Sequence, residues 1–233
     1  MRLMPIIPVK IAEIQQSTPT VKTLRLGLMG QMFSFHSGQW IDCYADIDGE
    51  RRVAGYTLTS SPNVKDHVEI SVKTGDNPVT RFIHESAQVG DTLHIDGGQG
   101  GTYFTREMSD RLVLIAGGIG ITPIISILRY ADEAGDISAI LLYSASSLDE
   151  LLYGEEIEAM EKRNRRIRAH FFVTGEVTRY RKERIDEVTL RELGLAADAL
   201  YFVSGPRDMI MGTVAALRNL GVDEDMIRYE VWW

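Results

Sequence analysis

The segment Leu112-Val113-Leu114-Ile115-Ala116-Gly117-Gly118-Ile119-Gly120-Ile121-Thr122-Pro123 runs a strand straight into a helix. Its unbroken apolar start is what a strand covered on both faces of a parallel sheet requires. Glycines end the strand at once; Thr122 suits an N-cap, and Pro123 suits a first helical position, where no backbone N–H is needed. Beyond them Ile124, Ile125, Ile127, Leu128 and Ala131 make one apolar helical face. Glycines at such a turn let a ligand approach the backbone, and the helix N-terminus adds free N–H groups and a positive dipole end. A diphosphate is the anion that such sites hold. The alternative is a tight turn whose glycines serve packing alone. The dinucleotide fingerprint itself is absent, because Pro123 stands where the third glycine would be. No acidic residue stands at Tyr143-Ser144-Ala145, where a ribose hydroxyl would be held, which argues against a plain dehydrogenase.

Downstream the rhythm continues. Ala139–Tyr143, His170–Val173 and Leu200–Val203 are further apolar runs, with helices predicted over Leu148–Arg163 and Asp208–Leu220 and a stop at Gly221. Residues 107–233 therefore read as a doubly wound α/β domain on a parallel sheet. Upstream, across the polar hinge Thr105–Asp110, the pattern changes to period two. Pro8–Ile14, Val21–Leu26, Trp40–Tyr44 and Val68–Lys73 alternate apolar with polar, and glycines punctuate them. Residues 1–106 read as a small antiparallel β-barrel or sandwich, with one short helix over Val79–Ala87.

The chain has 233 residues, of which 44% are hydrophobic and 25% charged, an ordinary globular balance that excludes a disordered or fibrous chain. Its net charge of −8 excludes broad binding to nucleic-acid phosphates. The single Cys43 can form no internal disulfide and supply no common iron–sulfur cluster; a half-buried strand position and a reactive thiol are its two readings. Pro5 and Pro8 break the N-terminal apolar stretch, and no run has the length of a membrane span, so a soluble, cytoplasmic protein is expected. His36, His67, His84, His94 and His170 are scattered, and no metal site is expected.

Three further segments join the glycine turn: Gly55-Tyr56-Thr57-Leu58-Thr59-Ser60-Ser61-Pro62, Ser204-Gly205-Pro206-Arg207-Asp208-Met209 and Tyr229-Glu230-Val231-Trp232-Trp233. Together, in this order, they resemble the ferredoxin–NADP reductase superfamily of flavin-dependent NAD(P)H oxidoreductases, from Ser37 onward. The resemblance implies a flavin-binding antiparallel barrel followed by a pyridine-nucleotide α/β domain, with FAD as the flavin. It places the family's flavin motif on Ala54-Gly55-Tyr56-Thr57, with Tyr56 against the isoalloxazine, Thr57 at its redox-active edge, and Leu58 and Thr59 following. Ala54 stands where the family has the arginine that holds the flavin diphosphate. Arg52 shares its strand face and is either the replacement cation or a solvated strand-edge arginine.

Val72-Lys73-Thr74 resembles the next flavin-contacting strand, and Asn77 with Pro78, Val79 and Thr80 a second diphosphate element. Gly117, Gly118, Gly120, Thr122 and Pro123 match the nucleotide loop, with Tyr143 and Ser144 beyond it. Ser204, Gly205, Pro206 and Met209 match the segment against the nicotinamide, serine replacing cysteine. Trp232 or Trp233 would either stack on the flavin or plug the interdomain seam. Glu230 would assist proton movement. For the nucleotide, Ser144, Ser146, Ser147, Arg179 and Arg181 are possible partners of a 2′-phosphate, while Gly175 stands where NADP users often carry arginine; NADH is favoured. The implied activity is hydride transfer from NAD(P)H to FAD and onward electron transfer to a redox protein or small molecule. The rival is a flavin- or nucleotide-binding electron-transfer module without turnover of its own.

Overall fold

Alternation settles the N-terminal half. The computed structural model of the chain describes residues 5–231. Six strands, β1 (Ile7–Thr18), β2 (Val21–Gly27), β3 (Trp40–Ile47), β4 (Glu50–Thr57), β5 (His67–Lys73) and β6 (Thr92–Gln99), form an antiparallel sheet ordered β4-β3-β6-β1-β2-β5. Inward residues such as Val9, Leu24, Ile41, Ile70 and Ile95 make its core. The helix α1 (Pro78–Glu85) closes one side with Val79 and Ile83. Its Asn77 side chain accepts from Val79 N at 2.8 Å, so the helix begins one residue earlier than expected. The edge strands β4 and β5 meet at the Leu58–Ile70 bridge and at a 2.8 Å bond from Thr59 N to Glu69 O. No ladder joins them, so the sheet is barrel-like and open. Cys43 lies fully inside it, where burial, then the Asp42 charge, pushes the thiol up to about 12. That is the strand reading of Cys43.

Continuous apolar runs settle the C-terminal half. The strands β7 (Arg111–Gly117), β8 (Ser138–Ala145), β9 (Ile167–Val173), β10 (Leu200–Ser204) and β11 (Ile227–Tyr229) are all parallel, ordered β11-β10-β7-β8-β9. Leu112 and Leu114 face α2 (Ile121–Ala134) and α3 (Gly154–Arg163), whereas Val113 and Ile115 face α4 (Glu187–Glu192) and α5 (Arg207–Asn219). Both faces are therefore covered, as the doubly wound reading requires. Val21 and Phe104, from the N-terminal half, pack into the α2 side of this core. Among the described residues no helix is long and apolar enough to cross a membrane.

Two expectations need correction. The helix predicted from Leu148 begins only at Gly154. A 3₁₀ turn spans Leu148–Glu150, and Tyr153 then adopts φ 63°. This bend buries Leu152 in the core and carries the Tyr153 hydroxyl to Ser71 of β5. Thr122 is not the N-cap of α2. Gly118–Gly120 forms a 3₁₀ turn, Gly120 caps the helix, and the Thr122 hydroxyl donates back to Ile119 O at 3.0 Å. Pro123 is the third residue of the helix and not its first, within the first turn, where an N–H is not needed.

Candidate functional site

The strand order reverses between β7 and β10: β8 and β9 continue on one side, β11 on the other. Loops leaving the carboxyl ends of β7 and β10 open a crevice at such a reversal. Here the two loops press backbone on backbone. A methyl group at Gly120 would lie 2.5 Å from Gly205 N and 2.6 Å from Ser204 C, and one at Gly205 would lie 3.1 Å from Gly117 N. At Gly118 the φ of 53° favours glycine, and nothing lies within 4 Å of an added Cβ. The chain thus presents bare backbone and the start of α2 to a cavity of about 410 Å³.

The opposite wall belongs to the antiparallel sheet. Gly55, Tyr56 and Thr57 of β4 and Ser71 and Lys73 of β5 line it, facing Gly117–Gly120, Thr122, Pro123, Ser204, Gly205 and Pro206. The Tyr56 hydroxyl meets Thr80 Oγ1 at 2.8 Å, tying the β4 end to the first turn of α1. Burial raises this phenol above its ordinary range. The Ser71 hydroxyl lies between Thr23 Oγ1 at 2.7 Å and the Tyr153 hydroxyl at 2.5 Å. The exposed Lys73 ammonium has no hydrogen-bond or ion-pair partner among the described residues and is the cation of this lining.

Several expected site residues lie elsewhere. Leu58, Val72 and Val79 turn their side chains into the barrel core, because strand alternation and the α1 face send them inward. Thr59 is buried and donates to Glu69 Oε1 at 2.9 Å. Thr74 and Pro78 are exposed outside the lining, and Thr80 reaches it only through Tyr56. Arg52 does share a face with Ala54 and Tyr56, but it stands exposed near the far end of β4, ion-paired with Glu50. Tyr143 is wholly buried beside Phe171, since its position on a doubly covered strand points its ring into the core. Ser144 and Met209 line a second cavity of about 610 Å³ with Pro206, Thr174 and Arg184. Met209 Sδ fills the space a Gly117 side chain would need, so it forms part of the partition between the two cavities. Glu230 is not in the lining of either; its Oε2 is 3.5 Å from where a Gly100 Cβ would be, and burial raises its carboxyl. Trp232 and Trp233 lie outside the described residues.

Around the second cavity, Gly175 has no room for a side chain, because a Cβ would strike Ser146 O. Arg179 is engaged by Glu158 at 2.8 Å, and Arg181 by Glu183 at 2.7 Å and Glu192 at 3.2 Å. Arg184 is without a side-chain partner among the described residues, with Asp186, Glu187 and Asp208 in the same lining.

Ser71 and Ile119 escaped the sequence reading, as did a polar stripe on α2. Ser126 donates to Ser60 O at 2.8 Å, Arg129 to Thr59 O at 2.8 Å, and Glu133 accepts from Ser61 at 2.5 Å and Asn63 at 2.7 Å. Arg129 also donates to Glu69 at 2.7 Å and, as a fork, to Glu156 at 2.7 and 2.8 Å, with the Tyr153 ring 4.9 Å away. Burial works against the Arg129 charge, but the hydrogen bond to Glu156 and the Glu69 and Glu156 charges outweigh it and hold its proton above the ordinary range. The signal was present: 126, 129 and 133 share a face at i, i+3 and i+7 on a helix whose other residues are mostly apolar.

The cavity's donor set suits a planar heteroaromatic ring with phosphates: an aromatic ring, hydroxyls, one ammonium and glycine backbone at a helix start. Among the described residues, no three His, Cys, Asp or Glu side chains gather as metal ligands.

Comparison with known proteins agrees with that chemistry. The model of the oxidoreductase FAD-binding domain matches residues 8–104, and that of the oxidoreductase NAD-binding domain residues 114–215. Oxidoreductase NAD-binding domain-containing protein 1 of Homo sapiens is 31% identical over 252 residues, covering 96% of this chain and 79% of that protein. Its Xenopus tropicalis counterpart is 32% identical, covering 98% and 80%. Among solved structures, the FAD/NAD-binding domain of nitric oxide dioxygenase from Vibrio cholerae aligns with TM-score 0.87 at 24% identity, covering 97% of this chain and 98% of that one. A ferredoxin NADP+ reductase from Neisseria gonorrhoeae, with bound FAD and NADP, aligns with TM-score 0.81 at 20% identity, covering 97% and 98%.

Proposed function

The chain belongs to the family of FAD-binding and NAD-binding oxidoreductases with a ferredoxin reductase-like fold, and from that premise we propose that it moves a hydride from NAD(P)H to FAD and passes electrons to a redox protein or small acceptor. The observation that carries this reading is the shared cavity, in which the β4 end faces the backbone of the β7 and β10 loops. We divide the chain into a flavin-binding domain, 1–106, and a nucleotide-binding domain, 107–233; the segment between β6 and β7 supports that division.

When bound, the flavin supplies the electron-accepting chemistry, and the protein positions it. Tyr56 offers its ring to one side of the cavity, fixed by Thr80. Thr57 and Ser204 present hydroxyls from opposite walls. Gly118–Gly120 and the start of α2 receive phosphate through backbone N–H groups. Lys73 supplies the positive charge that Ala54 does not, while Arg52 remains with Glu50. Glu230 is the proposed proton-moving group; burial raises its carboxyl, but it stands beside Gly100 outside both linings, so it would act on the cavity from a distance. The preference for NADH is supported by the filled space at Gly175 and by the carboxylates already holding Arg179 and Arg181. Arg184 is the one cation in the second cavity's lining, and a 2′-phosphate there would meet it beside Ser144 and among three acidic neighbours.

The absence of an arginine at Ala54 favours a second reading, a nucleotide-binding electron-transfer module without turnover. One experiment separates them. The purified protein, incubated with FAD and made anaerobic, receives NADH and then NADPH while its visible spectrum is recorded. Bleaching of a two-band flavin spectrum by NADH at lower concentration than NADPH is the expected result. A protein that takes up no flavin removes the reductase reading.

A further inference from the structure

The α2 stripe has a geometry that core packing alone does not need. Ser126, Arg129 and Glu133 hold Thr59, Ser60, Ser61 and Asn63, in the stretch that begins two residues after Thr57. The first turn of the same helix lines the cavity from the other side. One helix therefore lines one wall with its first turn and, further along, grips the segment that continues from the other wall. Arg129 is its central grip: three acceptors take its fork, from β5, from α3 and from the backbone after β4, and its side chain is 17% exposed. Glu69 in turn accepts from the Thr59 hydroxyl, so the loop is held by side chain as well as backbone. A lysine would keep the charge but not the planar fork that meets these acceptors together.

We propose that Arg129 is a positioning residue that sets the separation of the flavin-side and nucleotide-side walls of the cavity, and with it the approach of the two rings; the second half of this rests on the function proposed above. A misplacement of about 1 Å can lower a transfer rate by ~10²-fold without weakening the binding of either partner. Arg129 is thus expected to matter for the rate per bound pair more than for either affinity.

The test uses the full chain with Arg129→Lys, which keeps a cation beside Glu69 and Glu156, and with Glu156→Gln as a milder second variant. Hydrogen exchange is measured first without added cofactor. Arg129→Lys is expected to speed exchange together in residues 57–63 and at the start of α2, about tenfold, with the β9 edge unchanged. After FAD loading, its flavin reduction at saturating NADH should fall about tenfold or more, while the dissociation constants for FAD and NADH move less than about threefold. The long-wavelength charge-transfer band should weaken in parallel, and Glu156→Gln should fall between Arg129→Lys and the unaltered protein. Equal losses in affinity and rate, or a reduction rate within about twofold of the unaltered protein, would overturn the positioning role. If the unaltered protein binds neither FAD nor NADH, the proposed function fails by itself. The exchange result then still decides whether Arg129 couples the two walls.

Discussion

On the antiparallel side of the cavity, what a ligand meets is side chain: the Tyr56 ring, the Thr57 and Ser71 hydroxyls and the Lys73 ammonium. On the parallel side it meets the backbone of four glycines between the side chains of Ile119, Thr122, Pro123, Ser204 and Pro206, and Gly117, Gly120 and Gly205 leave no room for a side chain of their own. The two walls therefore fail differently. A side-chain wall can lose one group and keep its shape, so changes there should alter affinity by the value of a single contact. A backbone wall owes its shape to two loops in direct contact, so one methyl group should disturb the fold before it disturbs a ligand.

The largest effect is expected at Gly120. Its Cβ would lie 2.5 Å from Gly205 N, and neither backbone can move without shifting β7 or β10. Gly120→Ala should cost ~3 kcal/mol and lower Tm by roughly 6–12 °C, with nucleotide binding lost. Gly118→Ala is the internal contrast. Its methyl group has open space but a φ of 53°, so the left-handed strain of about 1–2 kcal/mol should appear alone. Thermal unfolding of both variants measures the difference. Equal losses would mean that strain, not loop-on-loop contact, governs this wall.

On the side-chain wall, Tyr56→Phe removes one hydroxyl bonded to Thr80 at 2.8 Å and leaves the ring. The expected loss is about 1 kcal/mol in stability, and flavin titration should show a dissociation constant raised about fivefold. A collapse like that of Gly120→Ala would break the contrast between the walls, because it would make Tyr56 part of the framework.

The same contrast explains what could be read from residues alone. Glycines, strand alternation and apolar runs are local, so the two halves, the β7-to-α2 joint and the facing of Arg52, Ala54 and Tyr56 were all legible. Ion pairing was not: nothing in the alternation of β4 says that Arg52 turns to Glu50. Nor was the bend at Leu151–Tyr153, where apolar residues at helical spacing instead serve two different neighbours, the α/β core and Ser71. Thr122 misled because the 3₁₀ turn before it took the capping position. Tyr143 misled because its backbone neighbour Ser144 reaches a cavity while its own ring lies on the covered face. Arg129 shows the limit from the other direction. Its helical spacing was visible, but its meaning lay in Glu69 and Thr59, distant in sequence.

The smallest expected effect concerns pH and separates the two sheets again. His170 lies on β9, the edge of the parallel sheet, where burial first and then the Arg181 charge hold its imidazole below the ordinary 6.5. The folded chain therefore binds this proton less readily than the unfolded chain. Its contribution is fully kept above about 6.5 and is lost as pH falls through that value toward the lower folded pKa. His170→Gln should leave Tm unchanged near pH 8 and reduce its decline toward about pH 5.5. The loss should be confined to the parallel sheet, so exchange of β8 and β9 amides should rise on acidification in the unaltered protein while that of β1 and β2 does not. A decline of equal size in the variant would assign the acid sensitivity to other groups and remove His170 from the account, because burial and the Arg181 charge would then cost the folded chain nothing measurable at this edge.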